Sequence, residues 1–311
     1  MRHGALLTNM DCTGRDNDTL RKKILRETVF LLSYNTVSAW KQVAITNLER
    51  WKLERTDLRS LRNVTAENGV YQVMELDWGD CTQRLTKLYG EVFAVLNFAN
   101  AYSPGGGYQH GAGAQEENIM RRTNLHFELK PVHMQHQNRQ YTNEFSKVLN
   151  AENTDNLIHM HWDKNSPDFV FRASEDCDYE ILAKEDFFPF AELRGAALDL
   201  RHCRLSENEI RQDCRRRIRA QLNTLIKNQI RHVVLGAFGC GVFGHDPHMV
   251  ASIYVEEIKA VRTSFDVIAF AIILSPNNLD AFTTTLPELG ERLLCLKEQE
   301  VLAGYSNDQL S

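Results

Sequence analysis

Two adjacent carboxylates, Glu116 and Glu117, close a short segment that opens with three consecutive glycines, Gly105-Gly106-Gly107. The glycines follow an apolar run, Val92-Phe93-Ala94-Val95-Leu96-Asn97-Phe98-Ala99, that reads as a buried strand. Without Cβ atoms, three glycines let backbone approach a ligand closely. Carboxylates just behind can then do acid/base work on whatever the loop holds. Adjacent positions on a helix point about 100° apart, so the pair cannot act as one dyad. One would do chemistry and the other would hold substrate hydroxyls. A plain helix start also favours acids, because the helix dipole stabilises them there. That dipole lowers a carboxyl pKa, whereas a general acid needs the opposite, so burial and bound phosphate would have to raise it.

A second glycine cluster, Gly236-Ala237-Phe238-Gly239-Cys240-Gly241-Val242-Phe243-Gly244, also follows an apolar run. Two such backbone-rich loops at strand ends suggest a phosphate-bearing ligand. Gly239 to Gly244 formally match the dinucleotide fingerprint, but the expected acid is misplaced, since Asp266 begins the next strand instead of ending it. The triple glycine lacks the Gly-Lys-Ser/Thr of a P-loop, which argues against nucleoside triphosphate hydrolysis. Asn97 and Asn100 stand at a buried strand end, where polar side chains face a ligand or tie down a loop. His159 with His161, and His133 with His136, have metal-compatible spacings but no supporting cysteine or acid, so they read as ordinary polar positions. Cys240, with no partner histidine to place, reads as a packing residue.

These residues need elements to hold them. The spacing predicts a helix from about Thr19 to Asn35, then helix plus connection from Asn47 to Asn68. Val70 to Leu76 reads as the first strand and Val92 to Ala99 as the second. A helix begins after Glu117 and stops before Pro131. Val132 to Asn156 reads as a long polar insertion. Short strands are expected at Leu157–Met160, Phe169–Arg172 and Phe187–Leu193. Ser206 to Asn228 forms a helix whose Arg211, Arg215, Arg216, Arg217 and Arg219 read as a solvated face. His232 to Phe238 is a buried strand, Asp246-Pro247 starts a helix, Asp266 to Leu274 is the last strand, and a final helix spans Leu286 to Leu302. Alternating strands and helices imply α/β layering with helices on both sheet faces.

The chain has 311 residues, enough for one large domain or two small ones, and 43% of them are hydrophobic. The net charge of −5 gives no electrostatic case for a nucleic acid or membrane partner. Seven scattered cysteines without a CxxC pair fit a reducing compartment. The first residues lack a signal-peptide core, and no apolar run reaches transmembrane length. A cytoplasmic or other reducing location is therefore expected, although a bacterial protein exported without a cleaved signal would read the same way.

The motif Leu96-Asn97-Phe98-Ala99-Asn100-Ala101, Pro104-Gly105-Gly106-Gly107, then Gly111, Ala112, Ala114, Gln115-Glu116-Glu117, resembles the microbial-type poly(ADP-ribose) glycohydrolases. Val234 to Pro247 resembles their second signature, and the likeness runs through nearly the whole chain. It implies a three-layer α/β/α macrodomain with a mixed central sheet over residues 67–311, preceded by an N-terminal helical extension over 1–66. It implies Glu117 as the catalytic acid and Glu116 as the residue gripping the ribose hydroxyls. It also implies a substrate-binding set of Asn97, Asn100, Gly105, Gly106, Gly107 and Gln115. Gly239, Cys240, Gly241, Val242 and Phe243 would form a diphosphate loop, with Phe243 against the distal ribose and Asp80 near the adenine. The substrate is then ADP-ribose in polymer or on protein, with no metal or cofactor. Gly113 stands where an arginine is common, and Arg122-Thr123-Asn124-Leu125-His126 departs from the usual Ser-Ser-Gly-Leu-Tyr. Those departures leave open removal of single ADP-ribose units. A non-catalytic ADP-ribose reader would keep both loops but have no use for Glu117.

Overall fold

A computed structural model describes residues 13–33, 36–54, 69–127, 133 and 140–289. Its centre is a seven-stranded mixed sheet. The strands are β1 (Val70–Met74), β2 (Ala94–Phe98), β3 (His159–His161), β4 (Asp168–Val170), β5 (Phe188–Gly195), β6 (His232–Leu235) and β7 (Val267–Ala271). The order is β1-β7-β6-β2-β5-β3, with β4 also pairing β5. The contacts from β1 through to β5 are parallel, while β3 and β4 run antiparallel to β5. This is not the strand order of a dinucleotide-binding fold.

Period-two alternation along the strands buries both faces. Ala94, Leu96, Ile268 and Phe270 join one core cluster, under helices α6 (Glu207–Lys227), α7 (Pro247–Val261) and α8 (Pro276–Thr285). Val95, Val267 and Ala269 join the other, under α2 (Thr36–Glu54), α3 (Trp78–Tyr89) and α4 (Gln115–Arg122). The result is the three-layer α/β/α macrodomain-like architecture. Helix α1 (Thr13–Ser33) lies against α4, where the Thr28 hydroxyl donates to the Arg121 carbonyl at 2.9 Å.

Several expected boundaries differ. Helix α1 begins at Thr13 and α2 already at Thr36, and residues 55–68 lie outside those described. Helix α3 has no counterpart in the sequence reading, yet its signals are strong. Asp77 caps it by accepting from Gly79 N at 2.8 Å, and Gly90 ends it in the left-handed conformation. The helix bearing the two glutamates starts earlier, at Gln115, and stops at Arg122. It stops there because Thr123 turns extended and bridges to Val170 of β4. The polar stretch after it is no simple loop: Thr142 caps a short helix, α5 (Asn143–Leu149). Nor are the arginines of α6 simply a solvated face. Arg217 is buried and donates to Asn150 Oδ1 and to the Ala196 carbonyl, both at 2.7 Å, tying the helix to the end of β5. Only Leu286 to Leu289 of the expected last helix is described, as a 3-10 turn.

Candidate active site

Strands β2 and β6 are parallel neighbours, so the two glycine-rich loops leave the sheet side by side at its carboxyl edge. Open α/β sheets bind ligands there. The first loop is folded onto the two glutamates. Gln115 sets this up: its Oε1 accepts from Phe98 N at 2.8 Å, and its Nε2 donates to the Leu96 carbonyl at 2.7 Å. The side chain thereby continues the hydrogen bonding of β2 and fixes the first turn of α4 against the strand end. Glu116 then accepts from Asn100 N at 2.7 Å and Gly105 N at 3.1 Å. Glu117 Oε1 accepts from Gly107 N at 2.8 Å. Gly106 N donates to Ser103 O at 3.0 Å and Tyr108 N to Gly105 O at 3.1 Å. Every N–H from 105 to 108 is thus engaged within the protein.

Here the glycines are a steric requirement. Gly105 and Gly106 take φ of +71° and +55°, and a Cβ on Gly106 would lie 2.5 Å from Glu117 Oε1. Asn100 ties the loop down, accepting from Tyr102 N and Ser103 N, both at 2.8 Å. Burial raises the Glu116 carboxyl to about 8, aided by the nearby Glu117 and Glu192 charges and opposed by the Asn100 N–H and Arg194. Both glutamates are buried. Asn97 is turned to the neighbouring strand, its Nδ2 donating to Glu192 Oε1 at 2.6 Å. Glu192 pairs with Arg194 at 2.7 Å, and Arg194 donates to the Tyr141 hydroxyl at 2.9 Å. Burial works against an ionised Glu192, but the adjacent Arg194 outweighs it and holds the carboxyl below its usual range.

The second loop has the opposite character. Cys240 N donates to Ala237 O, Gly244 N to Gly241 O and His245 N to Gly239 O, each at 3.1 Å. The N–H groups of Gly241, Val242 and Phe243 meet no acceptor among the described residues. A Cβ on Gly241 would have nothing within 4 Å, whereas one on Gly239 would lie 2.7 Å from the His245 ring. Gly239 therefore packs, at φ +78°, and Gly241 faces open space. The Cys240 thiol, pushed up to about 12 by burial, is not a thiolate nucleophile at neutral pH.

A cavity of about 450 Å³ lies beside this loop, lined by Gly239, Gly241, Val242 and Phe243 on one side and by Gly113, Ala114 and Gln115 on another. Glu116, Glu117, Asn97, Asn100, Cys240 and the Gly105–Gly107 loop are not part of its lining. The glutamates sit one residue beyond it, under the first loop. Asp80 does not line it either; it pairs with Arg122 at 3.3 Å, and burial raises its carboxyl. Its neighbours do. Asp77 and Trp78 line the cavity, and Trp78 Nε1 donates to Asn118 Oδ1 at 2.9 Å. The sequence reading passed over these three, although Asp77 is legible as a helix cap before an apolar stripe. Among the described residues no group of three or more His, Cys, Asp or Glu is placed to hold a metal. His161 Nδ1 lies 2.6 Å from Asp168, and burial pushes His159 down to about 3. No helix among the described residues is long and apolar enough to cross a membrane.

Comparison with known proteins bears on this arrangement. Residues 22–159 match the family model of the microbial-type PARG catalytic domain. The poly(ADP-ribose) glycohydrolase of Thermomonospora curvata, solved with the inhibitor ADP-HPD, is 25% identical and superposes with a TM-score of 0.60 over 85% of this chain and 98% of its own. The poly(ADP-ribose) glycohydrolase of Deinococcus radiodurans, solved with ADP-ribose, is 24% identical with a TM-score of 0.55 over 82% of this chain and 92% of its own. No curated protein sequence matches.

Proposed function

From the premise that the chain is a hydrolase resembling the microbial-type poly(ADP-ribose) glycohydrolases, we propose that it cleaves the bond at the anomeric carbon of the distal ribose of ADP-ribose. The observation that carries this reading is the trio of N–H groups at Gly241, Val242 and Phe243, unengaged among the described residues and beside the cavity, one strand away from a buried glutamate pair. Such a run of amides suits a diphosphate. Gly241 leaves room for it, and Phe243 is the side chain that would pack on the attached ribose.

Glu117 is the general acid in this account. Both oxygens of Glu116 already hold backbone N–H groups, so Glu116 is built to position. Glu117 uses one oxygen to hold Gly107, and among the described residues nothing engages the other. That oxygen donates its proton to the leaving oxygen as the bond to the anomeric carbon breaks. The transition state resembles an oxocarbenium ion. The carboxylate then takes a proton from the water that attacks the same carbon. Glu116, held neutral by burial over much of the physiological range, would bond the ribose hydroxyls without adding a second negative charge.

Incubation with labelled poly(ADP-ribose), and with arginine- and glutamate-linked mono-ADP-ribosyl protein, tests the reading. Free ADP-ribose released from one of these is the expected result, and the ratio of kcat/KM values assigns polymer or single-unit hydrolysis. Release from none of them would reject the proposal.

A further inference from the structure

The charged side chains lining the cavity are all acidic: Asp77, Glu175 and Asp176, with no lysine or arginine. An anionic ligand entering such a cavity meets repulsion unless the acids are screened. Asp77 is answered from within by the buried Arg122. Glu175 is answered by Arg21, which arrives from helix α1, 154 residues away in the chain. Its Nε and Nη2 lie 2.9 and 2.8 Å from Glu175 Oε1.

The wall is cut away to admit this guanidinium. A Cβ on Gly113 would lie 2.4 Å from its central carbon, and one on Gly111 would lie 1.9 Å from Asp18 Oδ1 of the same helix. Among the described residues the outer nitrogen, Nη1, has one long bond, to the Gly111 carbonyl at 3.4 Å, and the Tyr179 hydroxyl also interacts with the guanidinium. The pair stays open to solvent, with side chains 20% and 25% exposed. Glu175 does not depend on Arg21 alone, because its other oxygen accepts from the Tyr179 hydroxyl at 2.8 Å. Arg201 also stands near the cavity, over the Phe243 ring, but its partner Asp199 is not part of the lining.

We propose that Arg21, which stands behind the lining residues Gly113 and Glu175, is a ligand-binding residue, its outer edge bonding a phosphate of the bound ligand while its inner edge neutralises Glu175. The planar fork suits a phosphate in a way that a lysine does not. The proposal rests on the ADP-ribose reading above, and it gives the N-terminal helix a part in recognition. A plain clasp between α1 and the wall would use the same contacts, so the test must separate the two.

Calorimetric titration of ADP-ribose into the parent, Arg21→Gln, Arg21→Lys and Glu175→Gln does so. Loss of a charge-assisted bond in Arg21→Gln is expected to weaken binding about tenfold. Arg21→Lys is expected to recover part of that loss. Glu175→Gln keeps an acceptor oxygen for Arg21 and removes a negative charge beside the phosphate, so it is expected to bind more tightly than the parent. Weaker binding in both Arg21→Gln and Glu175→Gln would mark a clasp and overturn the inference. So would parent-like affinity in Arg21→Gln. A parent that fails to bind ADP-ribose would instead overturn the functional reading, and this inference with it.

Discussion

The two glycine-rich loops look alike in sequence and differ in what their glycines are for. In the first, Gly105 and Gly106 take left-handed conformations so that backbone can press onto Glu116 and Glu117. Every N–H from Gly105 to Tyr108 is engaged within the protein. In the second, Gly241 faces open space and three successive N–H groups meet no acceptor among the described residues. One loop is closed on the chain's own carboxylates. The other is left incomplete, and what would complete it is an anion from outside. Adjacent parallel strands hold the two together, so a ligand on the second lies beside the acids under the first.

This contrast is open to attack at its strongest point first. Glu117→Gln keeps size and hydrogen bonding but cannot cycle a proton, so turnover is expected to fall roughly 10²–10⁴-fold. ADP-ribose affinity is expected to hold, since the diphosphate contacts are elsewhere. Undiminished turnover would remove Glu117 from the chemistry.

Substituting one glycine in each loop sharpens the comparison. Gly241→Val adds a side chain where the protein has nothing within 4 Å. The melting temperature is expected to stay near the parent's while ADP-ribose affinity falls more than tenfold, about 1.4 kcal/mol. Gly106→Ala is expected to do the reverse to the fold. Its Cβ meets Glu117 at 2.5 Å and its φ of +55° is unfavourable, so denaturant unfolding is expected to show a loss of about 1–3 kcal/mol. If the two variants were equally stable, the loops would not differ as described.

The smallest effect is a pH dependence. In the folded state the Glu116 carboxyl sits near 8, above its usual value of 4.5. A raised carboxyl favours the folded state's proton, so its contribution is fully present below 4.5 and is lost as the pH rises through 8. Glu116→Gln has no such proton. Melting temperatures between pH 5 and 9 are expected to show the parent losing ground to the variant as pH rises. Parallel curves would mean that Glu116 is not held neutral.

Much of this was legible in the residues and some was not. The buried strands read directly from their apolar runs, and both loops from their glycines. The fold class followed from the alternation of elements. What the chain could not declare was where each amide would point. Asn97, within the motif in sequence, shares the α4 face of the sheet with Val95 but is spent on Glu192 of the neighbouring strand, a partner 95 residues away that the motif does not report. Asp80 and Asp77 differ by three residues, yet only Asp77 lines the cavity. Arg217 is buried because its partners, Asn150 and Ala196, come from distant segments that no helical periodicity reports.

Amide hydrogen exchange, read residue by residue with and without ADP-ribose, tests the contrast most directly. The account predicts that Gly105, Gly106 and Gly107 are already protected without ligand. Gly241, Val242 and Phe243 are predicted to exchange freely until ADP-ribose is added, and then to slow. Saturating ADP-ribose that leaves 241–243 exchanging as before, while protecting 105–107, would contradict it.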